Sequence, residues 1–206
     1  MPTSNPPPAV IFDRVPSGPF SRFQRWYRDA ERAGISRAEA MALATSDANG
    51  LPSVRFVLLK RCDRRGFVFF TNARSRKGRQ LRENPRAAAV FFWESLGRQV
   101  LVRGTVTQVS DRETDEYWSS RPRGSRIAAL ASAQSSPIRS RSELDARVKR
   151  LEAMLRGKDV PRPPQWSGFV IRPKEVEFWT ERPNRLHERE LFVRRGNRWK
   201  LTLLQP

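Results

Sequence analysis

The stretch MALATSDANGLPSVRFVLLKRCDRRGFVFFT, residues 41–71, decides the fold. Its apolar residues abandon helical spacing and fall into three short runs: Met41 to Ser46, Val54 to Arg61 and Phe67 to Thr71. Asn49-Gly50 separates the first two runs and is a strong hairpin signal, because both residues accept positive φ. The polar segment Asp63 to Gly66 separates the second from the third. Three strands joined by short turns predict an antiparallel meander.

Upstream of the meander, Met1 to Gly18 is rich in Pro and turn formers and reads as an extended, partly mobile leader. From Pro19 the spacing of Phe20, Phe23, Trp26, Tyr27 and Ala30 predicts a helix with one apolar stripe, a core-packing face. Ser36 followed by Glu39 is a capping-box pattern and predicts a short helix leading into the first strand. Downstream, Ser75 caps a helix that Pro85 stops, and its first turn carries Arg76 and Lys77. Cations at a helix amino terminus oppose the macrodipole unless an anion sits there, so Ser75-Arg76-Lys77 reads as a phosphate cradle or, equally, as an exposed helix start with two solvated cations.

Ala87 to Trp93 and Gln99 to Ser110 predict two longer strands. Ser110 and Glu113 open a helix to Ser120, Ser125 to Ala131 predicts a short helix, and Leu144, Val148, Leu151 and Leu155 mark an amphipathic one ended by Gly157. Pro161 to Pro164 is a connector, followed by four more strands: Phe169 to Ile171, Val176 to Trp179, Leu191 to Arg194 and Trp199 to Leu203. Seven or eight short strands with helices between them give an α+β chain, mainly antiparallel β, closed or partly closed as a barrel. Parallel βαβ alternation is absent, which argues against a Rossmann fold.

Composition sets the outer bounds. The 206 residues suit one domain or one elaborated domain. The net charge of +19 raises nucleic-acid binding as a reading, but the basic residues are spread along the chain and arginine dominates, so nucleic acid is not the expected partner. Arginine is also the preferred fork for phosphate on small molecules. One cysteine, Cys62, and one histidine, His187, exclude an internal disulfide and a His-rich metal site by counting, so no metal is expected and Cys62 is read as packing. With no signal-peptide pattern and no apolar run of membrane length, the expectation is a soluble, cytoplasmic protein.

The sequence has no G-x-G-x-x-G, P-loop, H-E-x-x-H or G-x-S-x-G pattern. What it does carry is a set of phosphate-type residues at strand ends and helix starts: Arg55 and Lys60, Thr71, Ser75 to Lys77, Gln99, Tyr117, Arg121 and Ser125. In isolation each has a bland reading. His187 lies in a charged segment, Trp179 alternates with Glu177 as a core residue would, Tyr117 can simply pack, and Arg121-Pro122-Arg123 can be a solvated helix end.

The stretches VRFVLLK, FFTNARSRKGRQL, Arg98-Gln99-Val100, SRPRGS, Gln134-Ser135-Ser136, Glu177-Phe178-Trp179 and Arg185-Leu186-His187-Glu188-Arg189 occur in this order from about Phe20 to Pro206. Together they resemble the pyridoxine (pyridoxamine) 5′-phosphate oxidases, FMN enzymes of vitamin B6 metabolism. The resemblance implies an FMN-binding split β-barrel with peripheral helices over residues 19–206, working as a homodimer with FMN at the interface. It implies that Arg55, Val57, Leu58, Lys60, Phe70 and Thr71 line the flavin, and that Arg76 and Lys77 hold its phosphate. Gln99, Gln134, Ser135, Trp179 and Arg189 complete the cofactor site, some from the second subunit. The substrate phosphate falls to Lys60, Tyr117, Arg121 and Ser125, with Arg185 and His187 over the pyridine ring as the catalytic pair.

The implied reaction is oxidation at C4′ of pyridoxamine or pyridoxine 5′-phosphate to pyridoxal 5′-phosphate, with oxygen reduced to hydrogen peroxide. Three departures qualify it. The Pro-rich leader does not match the basic, tyrosine-containing lid segment common in the family. Glu188 stands where aspartate is familiar, a version shared with phenazine-biosynthesis flavin oxidases, and Phe70 stands where tyrosine is common. A dihydrophenazine-like substrate is therefore the alternative.

Overall fold

The computed structural model describes residues 9–206. Its ten strands form one sheet, in which β1 (Ile11–Asp13), β4 (Arg61–Asp63), β5 (Gly66–Asn72), β8 (Trp166–Thr180), β7 (Arg98–Gln108), β6 (Arg86–Trp93), β2 (Ala40–Ser46) and β3 (Pro52–Leu58) are neighbours in that order. β9 (Glu188–Arg195) also pairs with β8, and β10 (Arg198–Leu204) pairs with β9. One half of β8 therefore meets β5 and the other half meets β9, while β7 runs along both. This branching curls the sheet into a split barrel, as expected.

Five helices surround it: α1 (Pro19–Arg32), α2 (Arg76–Glu83), α3 (Asp111–Ser120), α4 (Arg123–Ala131) and α5 (Arg141–Met154). The apolar stripe of α1 is buried, with Phe23 4.9 Å from both Phe67 and Phe91 and Trp26 edge-on to Phe178. Two ion pairs fix the helix from outside, Arg22 to Glu190 and Arg98 to Asp29. Cys62 lies in this core, where burial pushes its thiol pKa up. A second, smaller core of Trp118, Ile127 and Val160 joins α3 to α5 beside the barrel.

Several sequence expectations change. The run Val54 to Arg61 is two strands, because the backbone leaves β2 after Leu58. Leu59 N–H then donates to Glu39 and Lys60 N–H to Val68, so the chain turns a barrel corner there. Ser36 to Glu39 is a turn and no helix: Arg37 has φ 59, and Ala40 N–H closes the turn on Arg37. The two runs around Pro173 are one 15-residue strand, with a bulge opposite Arg103-Gly104 that absorbs the proline and Lys174. Residues 1–8 of the expected leader lie outside the described residues. Of the remainder, Ile11–Asp13 is a strand in parallel pairing with Arg61–Asp63, and Phe12 packs on the core.

Candidate functional site

β3, the corner after it, β5 and α3 bound a pocket of about 230 Å³. Its walls include Val57, Leu58, Lys60, Phe70, Thr71, Lys77, Tyr117, Arg121 and Gln134, nine of the residues singled out from the sequence. The Phe70 and Tyr117 rings stack at 4.0 Å, so Tyr117 both packs and faces the pocket. Phe56 and Trp166 also line it, and sequence reasoning passed over both.

Three cations line this pocket, Lys60, Lys77 and Arg121, and a fourth, Arg55, neighbours Lys77; among the described residues none of the four is bonded to a carboxylate. Lys77 is 7% exposed, and its Nζ donates to Thr71 Oγ1 at 3.0 Å, with Ser75 Oγ and Gln134 Oε1 each at 3.4 Å. All three partners are neutral. Burial, reinforced by the neighbouring Arg55, pulls its pKa down to about 8. Arg55 itself donates to Leu43 O, Thr45 Oγ1 and Gln80 Oε1, again neutral acceptors, and burial and Arg76 lower its pKa.

Lys60 and Arg121 form the second pair. Lys60 is 5% exposed, and neither its Nζ nor Arg121 Nη1 has a hydrogen-bond partner. Burial lowers the pKa of both; Glu39 offsets part of this at Lys60, whereas Arg121 adds to it. Buried charge without a counter-charge is among the costliest arrangements in a protein, and an anion at either pair would relieve that cost.

α2 supplies the cradle. Ser75 caps it by accepting from Gly78 N–H, and Arg76 and Lys77 follow in a first turn that contains no acidic residue. Gly78 is required there, since a Cβ would lie 2.2 Å from Ala73 O. Ser125, on α4, and Ser135, at φ 72, are exposed and do not line the pocket.

The other residues form a separate group. Gln99 on β7, Trp179 on β8 and Arg189 on β9 are lateral partners in one row across the sheet. Arg189 Nε donates to the buried carboxylate of Glu177 at 2.7 Å, which raises the Arg189 pKa. His187 packs on Trp179 at 4.5 Å, and its Nδ1 accepts from Arg182 N–H, leaving the ring proton to Nε2. Arg185 is exposed at φ 61, directly after Asn184 at φ 57, an unusual pair of left-handed residues.

These two groups do not meet within one chain. Phe70 lies opposite Gly168 on β8, and Trp179 is eleven residues further along the same strand. At about 3.3 Å per residue that is on the order of 30 Å of strand, beyond the reach of one nucleotide-sized ligand.

Residues 27–155 match the family model described as pyridoxamine 5′-phosphate oxidase, and residues 166–206 match the pyridoxine 5′-phosphate oxidase C-terminal dimerisation region. The chain belongs to the pyridoxamine 5′-phosphate oxidase family. It is thus a flavoprotein oxidoreductase, and its last three strands are the family's dimerisation region. A pyridoxine/pyridoxamine 5′-phosphate oxidase from Maricaulis maris is 53% identical over 200 residues, covering 96% of this chain and 89% of that one. PhzG from Burkholderia lata, solved with tetrahydrophenazine-1-carboxylic acid, is 35% identical with a TM-score of 0.88, covering 98% of this chain and all of its own. An FMN-binding protein from Nostoc punctiforme, described as pyridoxamine 5′-phosphate oxidase-related, shares the fold at a TM-score of 0.74 and 17% identity, covering 93% of this chain and 100% of its own.

Proposed function

We propose that this oxidase uses FMN and oxygen to convert pyridoxamine 5′-phosphate and pyridoxine 5′-phosphate to pyridoxal 5′-phosphate, as a homodimer with FMN at the interface. The observation that carries the reading is the doubling of unpaired cations: Lys77 with Arg55, and Lys60 with Arg121, suit two phosphates, one of the cofactor and one of the substrate. The donor set fits FMN, because Lys77 and Arg55 rest only on neutral acceptors and Arg76 adds a third cation at the helix start. When bound, FMN supplies the acceptance of hydride from C4′ and the return of the electrons to oxygen as hydrogen peroxide.

The chain's own groups bind and orient. Arg76, Lys77 and Arg55 hold the cofactor phosphate, Val57, Leu58, Phe70 and Thr71 line its ring system, and Gln134 closes over it, whereas Ser135 lies outside the pocket in one chain. Lys60, Tyr117 and Arg121 hold the substrate phosphate, two cations for charge and one hydroxyl for direction; Ser125, which the resemblance adds, lies outside the pocket in one chain and joins them only if the start of α4 moves inward with the ligand. Gln99, Trp179 and Arg189 come from the second subunit, since within one chain they lie too far along β8. Arg185 and His187 travel with that row and orient the amine or alcohol, His187 through its Nε2 proton. Residues 19–206 form the oxidase domain.

The likeness to PhzG, with Glu188 and Phe70, supports a second reading in which a reduced phenazine-like aromatic is oxidised. Lys60 and Arg121 favour a phosphorylated substrate. The experiment is anaerobic: pyridoxamine 5′-phosphate should bleach the yellow protein, and air should restore the colour. Bleaching by a dihydrophenazine alone would reverse the order of the two readings, and a colourless protein that cannot take up FMN would remove both.

A further inference from the structure

We propose that Trp166, at the start of β8, is a further binding residue of the Lys60–Arg121 anion site: its ring face holds the Arg121 guanidinium, and its indole N–H is a third donor to the phosphate. The proposal rests on the functional reading above and adds a residue to it.

Among the described residues, four buried side-chain nitrogens lack a hydrogen-bond partner: Lys60 Nζ, Arg121 Nη1, Arg126 Nε and Trp166 Nε1. Three of the four belong to residues that line the same 230 Å³ pocket. A buried indole N–H normally finds an acceptor, and the nearby Trp118 does so by donating to Val160 O at 2.9 Å. Trp166 has none. Arg121 cannot serve, being a donor itself and lying over the ring, with Cζ 4.1 Å from the centroid.

The ring has a second task. Trp118 and Trp166 meet edge to face at 5.5 Å, and Arg121 lies over both, 5.2 Å from Trp118. Arg121 has no carboxylate partner, so these two faces are what hold its charge in place before an anion arrives. The backbone of Trp166 is fixed in turn, its carbonyl accepting from Arg162 Nη1 at 3.0 Å. A tetrahedral oxyanion offers several lone pairs at once and can satisfy an ammonium, a guanidinium and an indole N–H whose residues line one pocket from different elements.

Two substitutions separate the two tasks. Trp166→Phe keeps a ring face and removes the N–H; Trp166→Leu removes both. Calorimetric titration of the FMN-loaded protein with inorganic phosphate, alongside KM and kcat for pyridoxamine 5′-phosphate, reads the effect. Trp166→Phe should weaken phosphate binding and raise KM about five- to tenfold, with a smaller change in kcat, and Trp166→Leu should exceed it on both measures. Phosphate affinity in Trp166→Phe equal to that of the unaltered protein would overturn the donor role. Equal losses in the two variants would overturn the face role. An unaltered protein that binds phosphate but fails to oxidise pyridoxamine 5′-phosphate would leave this site standing and remove the substrate reading; one with no phosphate affinity would remove both.

Discussion

Individual side chains at the pocket divide into those that carry charge and those that hold the charge in place. On the proposed reading Arg121 contacts the substrate phosphate, a group that does not change in the reaction, so it contributes binding that is largely the same in ground and transition states. Arg121→Ala should therefore raise KM for pyridoxamine 5′-phosphate by one to two orders of magnitude and lower kcat much less; a fall in kcat with unchanged KM would contradict the assignment. Lys77 carries a pH signature. Its pKa of about 8 must rise beside a phosphate, so FMN affinity should be flat between pH 7 and 8 and weaken by up to about tenfold per unit above that. Fluorescence titration of the apoprotein with FMN between pH 7 and 9.5 measures that slope, and Lys77→Met should abolish it. Locally the sequence leaves Ser75-Arg76-Lys77 open between a phosphate cradle and an exposed helix start, and only the resemblance groups Lys60, Tyr117, Arg121 and Gln134, which the structure brings to one pocket with Lys77. The fate of Ser125 and Ser135, exposed in one chain, was not legible from sequence, since nothing local says which side chains a curled sheet leaves outside. Trp166 was invisible for another reason: a lone tryptophan after a proline connector gives no sign that its N–H will be left without an acceptor.

At the level of elements, short-range signals succeeded and long-range pairing did not announce itself. The caps at Ser75 and Ser110 are local, and both appear with the hydrogen bonds expected of them, Ser75 to Gly78 N–H and Ser110 to Glu113 N–H. Ser36 and Glu39 show the same pattern without a helix, because β2 begins at Ala40 and leaves no residues for a second turn. Pro173 should end a strand by propensity, yet β8 passes through it, since the bulge facing Gly104 removes the need for its missing N–H. Gly104 allows that approach: a Cβ there would lie 2.0 Å from Arg172 O. Gly78 makes the matching case for function. A methyl group at this position would collide with the Ala73 backbone and push the first turn of α2 away from its seat, carrying Arg76 and Lys77 with it. Gly78→Ala should cost about 1–3 kcal/mol of stability in denaturant unfolding and weaken FMN binding at least tenfold. Full FMN affinity in that variant would show that the cradle does not depend on the close approach of α2.

Where β3, β2 and β6 pair antiparallel, the sheet has two largely apolar faces, although a face against water would ordinarily be polar. β2 and β6 bury their odd-numbered residues in the barrel, and of their even-numbered residues Ala42, Ala44, Ala88 and Val90 face outward without being polar, with Ser46 and Arg86 at the strand ends the exceptions. Phe92 (57% exposed) extends this face, and Val54 (70%) and Phe56 (76%) continue it on β3. A continuous exposed apolar patch of this kind suits a protein contact. The row that contains Gln99, Trp179 and Arg189 borders it, because Phe92 pairs laterally with Gln99 and Gln99 with Trp179. On the proposed reading assembly and cofactor binding are coupled, because a subunit joined at this face would bring the row of Gln99, Trp179 and Arg189 that each single site lacks. Phe92→Glu tests this, since an exposed side chain can change without disturbing the barrel core. Sedimentation should show dissociation to monomers at micromolar protein, while circular dichroism shows the fold intact. FMN affinity should fall with dissociation and recover as the protein concentration is raised, as linkage requires when ligand binds only the assembled form. A monomer that keeps full FMN affinity would mean that one chain completes its own site, and the 30 Å of strand between Phe70 and Trp179 would then have to be bridged in some other way.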